Sequence, residues 1–475
     1  MNPRPFAAGL LSLTLTACAV GPDYKTPETP LAPFQAGASV SARADRPAAA
    51  PLDRWWTGFN DPILDKLIDR ALEQNLDIAA AYARVRQARA GLEGAAAQLL
   101  PAAAIDGQDA RQRQSLNSPT GAIAKNFPGY ERYQSDYTLG AAASWEIDLA
   151  GGLRRGAEAA GAEVQAAEAA GVATRISIAA EVADAYFRLR GDQARLAVTQ
   201  EQVATDQHLL ELVKMRFSHE LASDREVAQA EALLAQARST LQPLEIDRAA
   251  QSHRLAILIG LQPGTLDPEI ETAGDLPEVP AVPGDSSAGD LLRRRPDLIA
   301  AERSLAASNA RIGVALSDYY PKLSLSGLLG LESISANQLF KQASFQPQAA
   351  AGLRWRLFDF GRVDAEVEQA KGAEAEALAK YRLSVLRAAG EVEDAFTTLV
   401  QTEARGQELA REVVALKRAR NASQTAYERG VIPLTDVLDA DRQLLTAQDA
   451  LTLSRADAAR AAVGSYRALG GGWTV

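Results

Sequence analysis

Short blocks of strict apolar/polar alternation interrupt long helical stretches in this chain. Tyr137, Leu139, Ala141, Ala143, Trp145 and Ile147 share one face of a predicted strand over 137–148. Lys322–Ser326 keeps the same period of two, and Ala351–Leu357 repeats it with Arg354 and Arg356 on the opposite face. Alternation sets one face against apolar surroundings and the other against water, so the two arginines are expected to face a lumen. Polar loops over about 110–134 and 333–346 join two strand candidates in each region. A helix is predicted ahead of each strand pair, over about 61–99 and 287–317. Leu100-Pro101 and Tyr320-Pro321 end these helices, because proline and the residue before it both leave helical geometry. Behind the strands, 155–217 and 362–429 contain no proline. A helix of ~63 residues rising 1.5 Å each is a rod of roughly 95 Å. Return helices follow over about 223–260 and 435–469, with a packing stripe that includes Val437, Leu438, Leu444, Leu445 and Leu451. Pro243 falls inside the first return helix and predicts a kink there. Pro263, Pro268, Pro277, Pro280, Pro283 and Pro296 mark 262–296 as a linker.

These blocks occur twice. Asp77-Ile78-Ala79-Ala80-Ala81 through Pro101 matches Asp297-Leu298-Ile299-Ala300-Ala301 through Pro321 at a constant offset, with Ala90/Ala310 and Gly107/Gly327 in step. Trp145 matches Trp355, Glu181–Phe187 matches the stretch from Glu391 to Phe396, and Phe217/Tyr427 and Ala230/Ala440 follow in the same order. The expected organisation is a signal segment over 1–17, an N-terminal segment over 18–60, a first repeat over 61–265, a linker over 266–286, and a second repeat with the C-terminal segment over 287–475.

Composition narrows the chemistry. Fifty Lys+Arg stand against 60 Asp+Glu, a net charge of −10, which argues against a nucleic-acid binder. Hydrophobic residues reach 47%, much of it alanine, as suits long helices. A lone Cys18 excludes a disulfide within one chain, and the scattered His208, His219 and His253 offer no zinc cluster, so no metal site is expected. Phosphate-cradling glycine motifs and nucleophile elbows are missing, so the chain does not read as an enzyme, and no cofactor is implied beyond a covalent lipid. That lipid follows from the N-terminus. Arg4 and the short apolar run Phe6–Leu15 read as a secretory signal, and Leu15-Thr16-Ala17-Cys18 resembles the bacterial lipobox. The resemblance implies acylation of Cys18, and Ala19 rather than Asp after it implies sorting to the outer membrane. No later apolar run has transmembrane-helix length, so a membrane crossing would have to be a β-barrel.

Two strands per half make four per chain, too few to close a membrane barrel. Association of copies solves this, and the arithmetic alone allows two, three or four. The chain resembles the outer-membrane factor family, the TolC-like exit ducts of tripartite efflux systems, in its NodT-type lipoprotein branch. The carriers are Gly21-Pro22-Asp23-Tyr24, Trp55-Trp56, Asp61-Pro62-Ile63-Leu64, Arg295-Pro296-Asp297-Leu298, Tyr320-Pro321 and Phe358-Asp359-Phe360-Gly361. Tyr427-Glu428-Arg429-Gly430 followed by Asp436-Val437-Leu438-Asp439-Ala440 is the strongest. The resemblance implies a mainly α fold with β: long antiparallel helical hairpins in a trimeric α-barrel, and a 12-stranded transmembrane β-barrel. It also implies a homotrimer in outer-membrane lipid, partnered by a periplasmic membrane-fusion adaptor and an inner-membrane efflux transporter. The competing readings are a lipid-anchored periplasmic scaffold without a pore and a lipid-anchored enzyme. The duplicated strands argue against the first, and the absence of a convergent reactive cluster argues against the second.

The same resemblance assigns a periplasmic gate. Asp436 and Asp439 lie three residues apart on one helix face and match the family's entrance aspartates, which in a trimer would form two carboxylate rings. Their plainer role is to favour the helix N-terminus. Tyr427 matches a tyrosine that ties neighbouring hairpins, with Glu226 in the acidic partner's position. The companion arginine falls on Ile432, for which Arg225 is a candidate substitute. Phe217, Glu220, Gly430 and Pro433 mark the hairpin tips, about 217–226 and 427–436, as the adaptor-contact surface. Glu220 and Ala222 replace the Gly/Pro turn chemistry in the first tip, so the two tips are expected to differ. Trp145 and Trp355 suit a lipid or interface belt, and Trp55 and Trp56 are expected to pack the N-terminal segment against the helices.

Overall fold

A computed structural model describes residues 19–43, 50–266, 268–271, 274–284 and 288–474. The signal segment 1–17 and Cys18, with its expected lipid, lie outside the described residues. In chain order the elements begin with α1 Gly37–Ser41, a 3₁₀ stretch Leu52–Phe59, α2 Pro62–Gln74, α3 Leu76–Ala97, β1 Ala102–Arg113, α4 Pro119–Ala124 and β2 Tyr133–Ile147. Then come α5 Gly152–Ser218, α6 Asp224–Leu258, α7 Pro268–Glu271, α8 Ala288–Arg294 and α9 Pro296–Ser317. The chain ends with β3 Lys322–Ser333, β4 Phe345–Arg354, α10 Arg362–Glu428 and α11 Leu434–Ala468. The doubled sequence gives doubled elements: α5 and α10 are each 67 residues long, and α6 and α11 each 35.

Local expectations meet the structure at three points. The first helix of each half is two helices, divided at Asn75 and at Arg295. The Asn75 side chain accepts from the N–H groups of Asp77 and Ile78 and so restarts the helix as an N-cap. Arg295 pairs with Asp297 at 2.6 Å and Glu391 at 2.7 Å. Second, α6 continues through Pro243 as one 35-residue helix with the proline inside it. Third, β4 stops at Arg354, so Arg356 is not a strand residue; it pairs instead with Asp318 at 3.3 Å and Glu366 at 3.0 Å.

The described residues fall into two compact units. The first holds 19–26, 86–165 and 302–379. Its centre is one antiparallel sheet in the order β1-β2-β3-β4. Ala141 pairs with Ile105 on one side and Leu329 on the other, and Leu325 lies between Trp145 and Ala351. Cross-strand partners share a face, so one side of the sheet is apolar: Ile105, Leu139, Trp145, Leu325, Leu329 and Leu353, all exposed in the single chain. The other side carries Asp106, Gln108, Thr138, Ser144, Ser326 and Gln348. The matched tryptophans make matched bonds: Trp145 Nε1 donates to the Leu99 carbonyl and Trp355 Nε1 to that of Tyr319, both at 2.9 Å. The N-terminal motif is explained here too. Gly21, at φ +103°, passes so close to Gly313 that a Cβ would sit 2.6 Å from its Cα. Asp23 accepts from the buried Arg155 at 2.8 Å, and Tyr24 donates to Glu302 at 2.6 Å.

The second unit holds the remaining described residues. Its core gathers Trp55, Trp56 and Phe59 against Phe187 and Tyr466, with the Trp55 and Tyr466 rings stacked 5.4 Å apart and Phe59 4.8 Å from Phe187. Asp61 caps α2 and accepts a 2.6 Å bond from Tyr186. Segment 34–43 is fastened to α10: Glu393 accepts from the Gln35 and Ala36 N–H groups, and Arg43 pairs with Glu403 at 2.6 Å. No described helix is long and apolar enough to cross a membrane.

Candidate gate at the hairpin tips

The tips lie in the second unit, where α5 turns into α6 and α10 into α11. Their backbones are equivalent, contrary to the expectation from turn chemistry. Gly430 has φ +73°, its N–H donates to the Tyr427 carbonyl and the Val431 N–H to that of Ala426. Glu220 has φ +60°, with the same bonds to Phe217 and Arg216. Both are left-handed helix C-caps that satisfy carbonyls the helix leaves free. The tips diverge at Ser223 and Pro433. Ser223 and Glu226 form a reciprocal capping box at the start of α6, whereas Pro433 opens α11 without a side-chain cap. Phe217, Glu220, Gly430 and Pro433 are all exposed. So are Leu221 and Val431, which the sequence reading passed over although they match at the same repeat offset.

Above the tips an apolar cluster draws on all four helices: Leu209, Leu210 and Val213, Ala230 and Leu234, Tyr427, and Leu434 with Val437. Tyr427 is 2% exposed, and its hydroxyl has no hydrogen-bond partner. Burial raises the phenol above its usual range; Arg216 works against this and Glu226 adds to it. The geometry therefore brings Tyr427 and Glu226 near each other but does not bond them. Glu226 is taken up by the Ser223 N–H at 2.7 Å and hydroxyl at 2.9 Å. Ile432 packs half-buried against the cluster. Arg225 is exposed and has no ion-pair partner among the described residues; the cation on Tyr427 is Arg216, 4.6 Å from the ring centroid.

The two entrance aspartates differ electrostatically. Asp436 is exposed, with no ion-pair partner among the described residues. Asp439 accepts from Arg442 and from Gln443, each at 2.6 Å, so its carboxylate is paired within its own helix. The sequence reading also missed two buried acids behind the cluster, because each looks like an ordinary helix-surface charge. Asp206 on α5 and Asp441 on α11 are each 1% exposed. Gln202 donates to Asp206 and Arg420 to Asp441, at 2.6 and 2.7 Å. Burial, opposed by Gln202 and Arg420 and reinforced by Asp441, pushes the Asp206 carboxyl up to about 6. Among the described residues no group of acids, histidines or cysteines is arranged to hold a metal ion.

A family model described as outer membrane efflux protein matches residues 67–261 and 288–471. The chain is similar to the pyoverdine export outer membrane protein OpmQ of Pseudomonas putida, 33% identical over 471 residues covering 99% of this chain and 98% of that one. It is similar to Nodulation protein T of Rhizobium leguminosarum bv. trifolii, 29% identical over 452 residues covering 94% and 92%. Among solved structures it is similar to the outer-membrane channel OprN, with TM-score 0.85 at 33% identity over 96% of this chain and 100% of that one. The Campylobacter jejuni CmeC outer membrane channel also gives TM-score 0.85, at 25% identity over 96% and 95%. The chain belongs to the outer membrane efflux protein family, and it is an outer-membrane channel for efflux rather than an enzyme.

Proposed function

We propose that three copies close one twelve-stranded barrel in the outer membrane and one helical duct in the periplasm. Small molecules would pass through this duct to the exterior, delivered by an adaptor and an inner-membrane transporter. The observation that carries this reading is the sheet. It has four strands, two unpaired edges at β1 and β4, and an uncovered apolar face. Unpaired edges and exposed leucines are costly in water, and a closed barrel in lipid removes both. The strands are 12, 15, 12 and 10 residues long, and a tilted strand needs about 9–11 to cross the bilayer core. The lipid on Cys18 is part of the proposal, as a second anchor in the same membrane. Phe217, Glu220, Gly430 and Pro433, joined by Leu221 and Val431, are the surface offered to the adaptor.

In such a trimer Asp436 contributes three carboxylates with no ion-pair partner among the described residues of their own chain, while Asp439 contributes three already paired with Arg442. Cation preference should therefore depend on Asp436 more than on Asp439. The test is mass measurement of the purified mature protein together with single-channel recording in planar bilayers. A trimer whose cation selectivity falls markedly in Asp436→Ala and less in Asp439→Ala is the expected result. A monomer that inserts in the membrane without conducting overturns the duct. A trimer whose selectivity neither substitution changes moves the gate away from these residues.

A further inference from the structure

Arg216 occupies the last turn of α5, yet its side chain serves the end of α10. Nη1 donates to the Tyr427 carbonyl at 3.0 Å and reaches the Glu428 carbonyl at 3.4 Å. These are terminal helix carbonyls, the negative end of the α10 dipole, where a cation is favoured. The guanidinium also lies 4.6 Å from the centroid of the Tyr427 ring, within cation–π range. The apolar cluster around it is non-directional and would tolerate sliding of one hairpin on the other. Lys214 pairs with Glu231 and Arg420 with Asp441, each inside its own hairpin. The next bond across the hairpins joins Arg195 to Asp449, well up α5 from the tip. At the tips, among the described residues, Arg216 alone supplies directional bonds from one hairpin to the other.

We propose that Arg216 is the clasp that holds the two hairpin tips of one protomer together. It works through the face of the Tyr427 ring and the end carbonyls of α10. The Tyr427 hydroxyl takes no part, since it is buried without a partner while Glu226 is bound to Ser223. As the resting contact of the entrance, the clasp rests on the duct reading given above. Any opening that separates the tips has to break it. Lysine would keep the charge over the ring but not the planar fork, so it is a partial replacement.

The test is amide hydrogen exchange on the full mature trimer, read in peptides covering 213–222 and 424–436. Single-channel recording of the same variants accompanies it. Arg216→Ala is expected to speed exchange about tenfold or more in both peptides, the size set by losing charge-assisted bonds and a ring contact. Arg216→Lys should fall between, and Tyr427→Phe should change exchange by less than about twofold. Strand amides at 137–147 should stay protected, showing that the fold is intact. Should Arg216→Ala fail to assemble, Arg216→Gln, which keeps most of the stem, carries the same comparison. A rise confined to 213–222 overturns the clasp, as does a Tyr427→Phe variant that exchanges as fast as Arg216→Ala. Faster exchange at both tips without any change in conductance keeps the clasp and removes the tips as the gate. A changed conductance with unchanged tip exchange does the reverse.

Discussion

Asp206 has the chemical identity of many surface acids in this chain and a different behaviour. Its folded-state carboxyl sits at about 6, above its ordinary value of 3.8, because burial penalises the charge more than Gln202 and Arg420 support it. A group whose pKa is raised on folding takes up a proton in the folded state first. Stability therefore rises as pH falls from about 7 through 6, and the gain levels off below the ordinary carboxylate value. Protection of the tip amides from hydrogen exchange is expected to be greater at pH 5.5 than at pH 7.5. Asp206→Asn should hold the acid-like protection at both. A tip slope that survives in Asp206→Asn would assign the proton elsewhere. Asp192, raised to about 6 by burial and by Asp247, gives a second slope in global melting, which is why the local readout is needed. None of this is legible in the sequence: residue 206 on α5 meets Arg420 on α10 and Asp441 on α11 only after the three helices have packed. The exposed Asp436 was legible, because a helix N-terminus needs only its neighbours.

At the scale of elements, the matched tips offer a direct comparison. Glu220 holds a left-handed conformation that costs a non-glycine residue about 1–2 kcal/mol, and Gly430 holds the same conformation with nothing within 4 Å of its missing Cβ. Glu220→Gly is expected to stabilise the first tip and Gly430→Ala to destabilise the second, each by about 1 kcal/mol in denaturant melts or local exchange. A loss on Glu220→Gly would mean that the carboxylate, rather than the backbone, matters there. The long helices and their lengths were readable, since proline-free stretches of 60 residues or more leave little else to form. The break at Asn75 was not, because asparagine is no helix breaker; the break at Arg295 had a local signal, since Pro296 follows it and opens α9. Asn75 acts through its side chain, on the N–H groups of Asp77 and Ile78. Pro243 lies inside α6 without dividing it into two helices.

On the scale of the whole molecule, the sheet decides what the chain can be. Leu329 lies mid-strand on the apolar face, paired with Ala141 and Pro347. Leu329→Arg should cost about 2–4 kcal/mol if that face meets the bilayer midplane, and trimer recovery from the membrane fraction should fall sharply. Ser326→Arg, on the other face, should be recovered nearly as wild type. Equal recovery of both would place the apolar face outside lipid. What the sequence by itself determined is the doubled plan, the helix and strand periods and the family motifs, because these depend on neighbours a few residues apart. The tertiary structure alone decided that β2 lies between β1 and β3, that Arg216 clasps the end of α10, and that Asp206 is buried. Those outcomes depend on groups more than 170 residues apart in the chain, brought together by packing that no local pattern encodes.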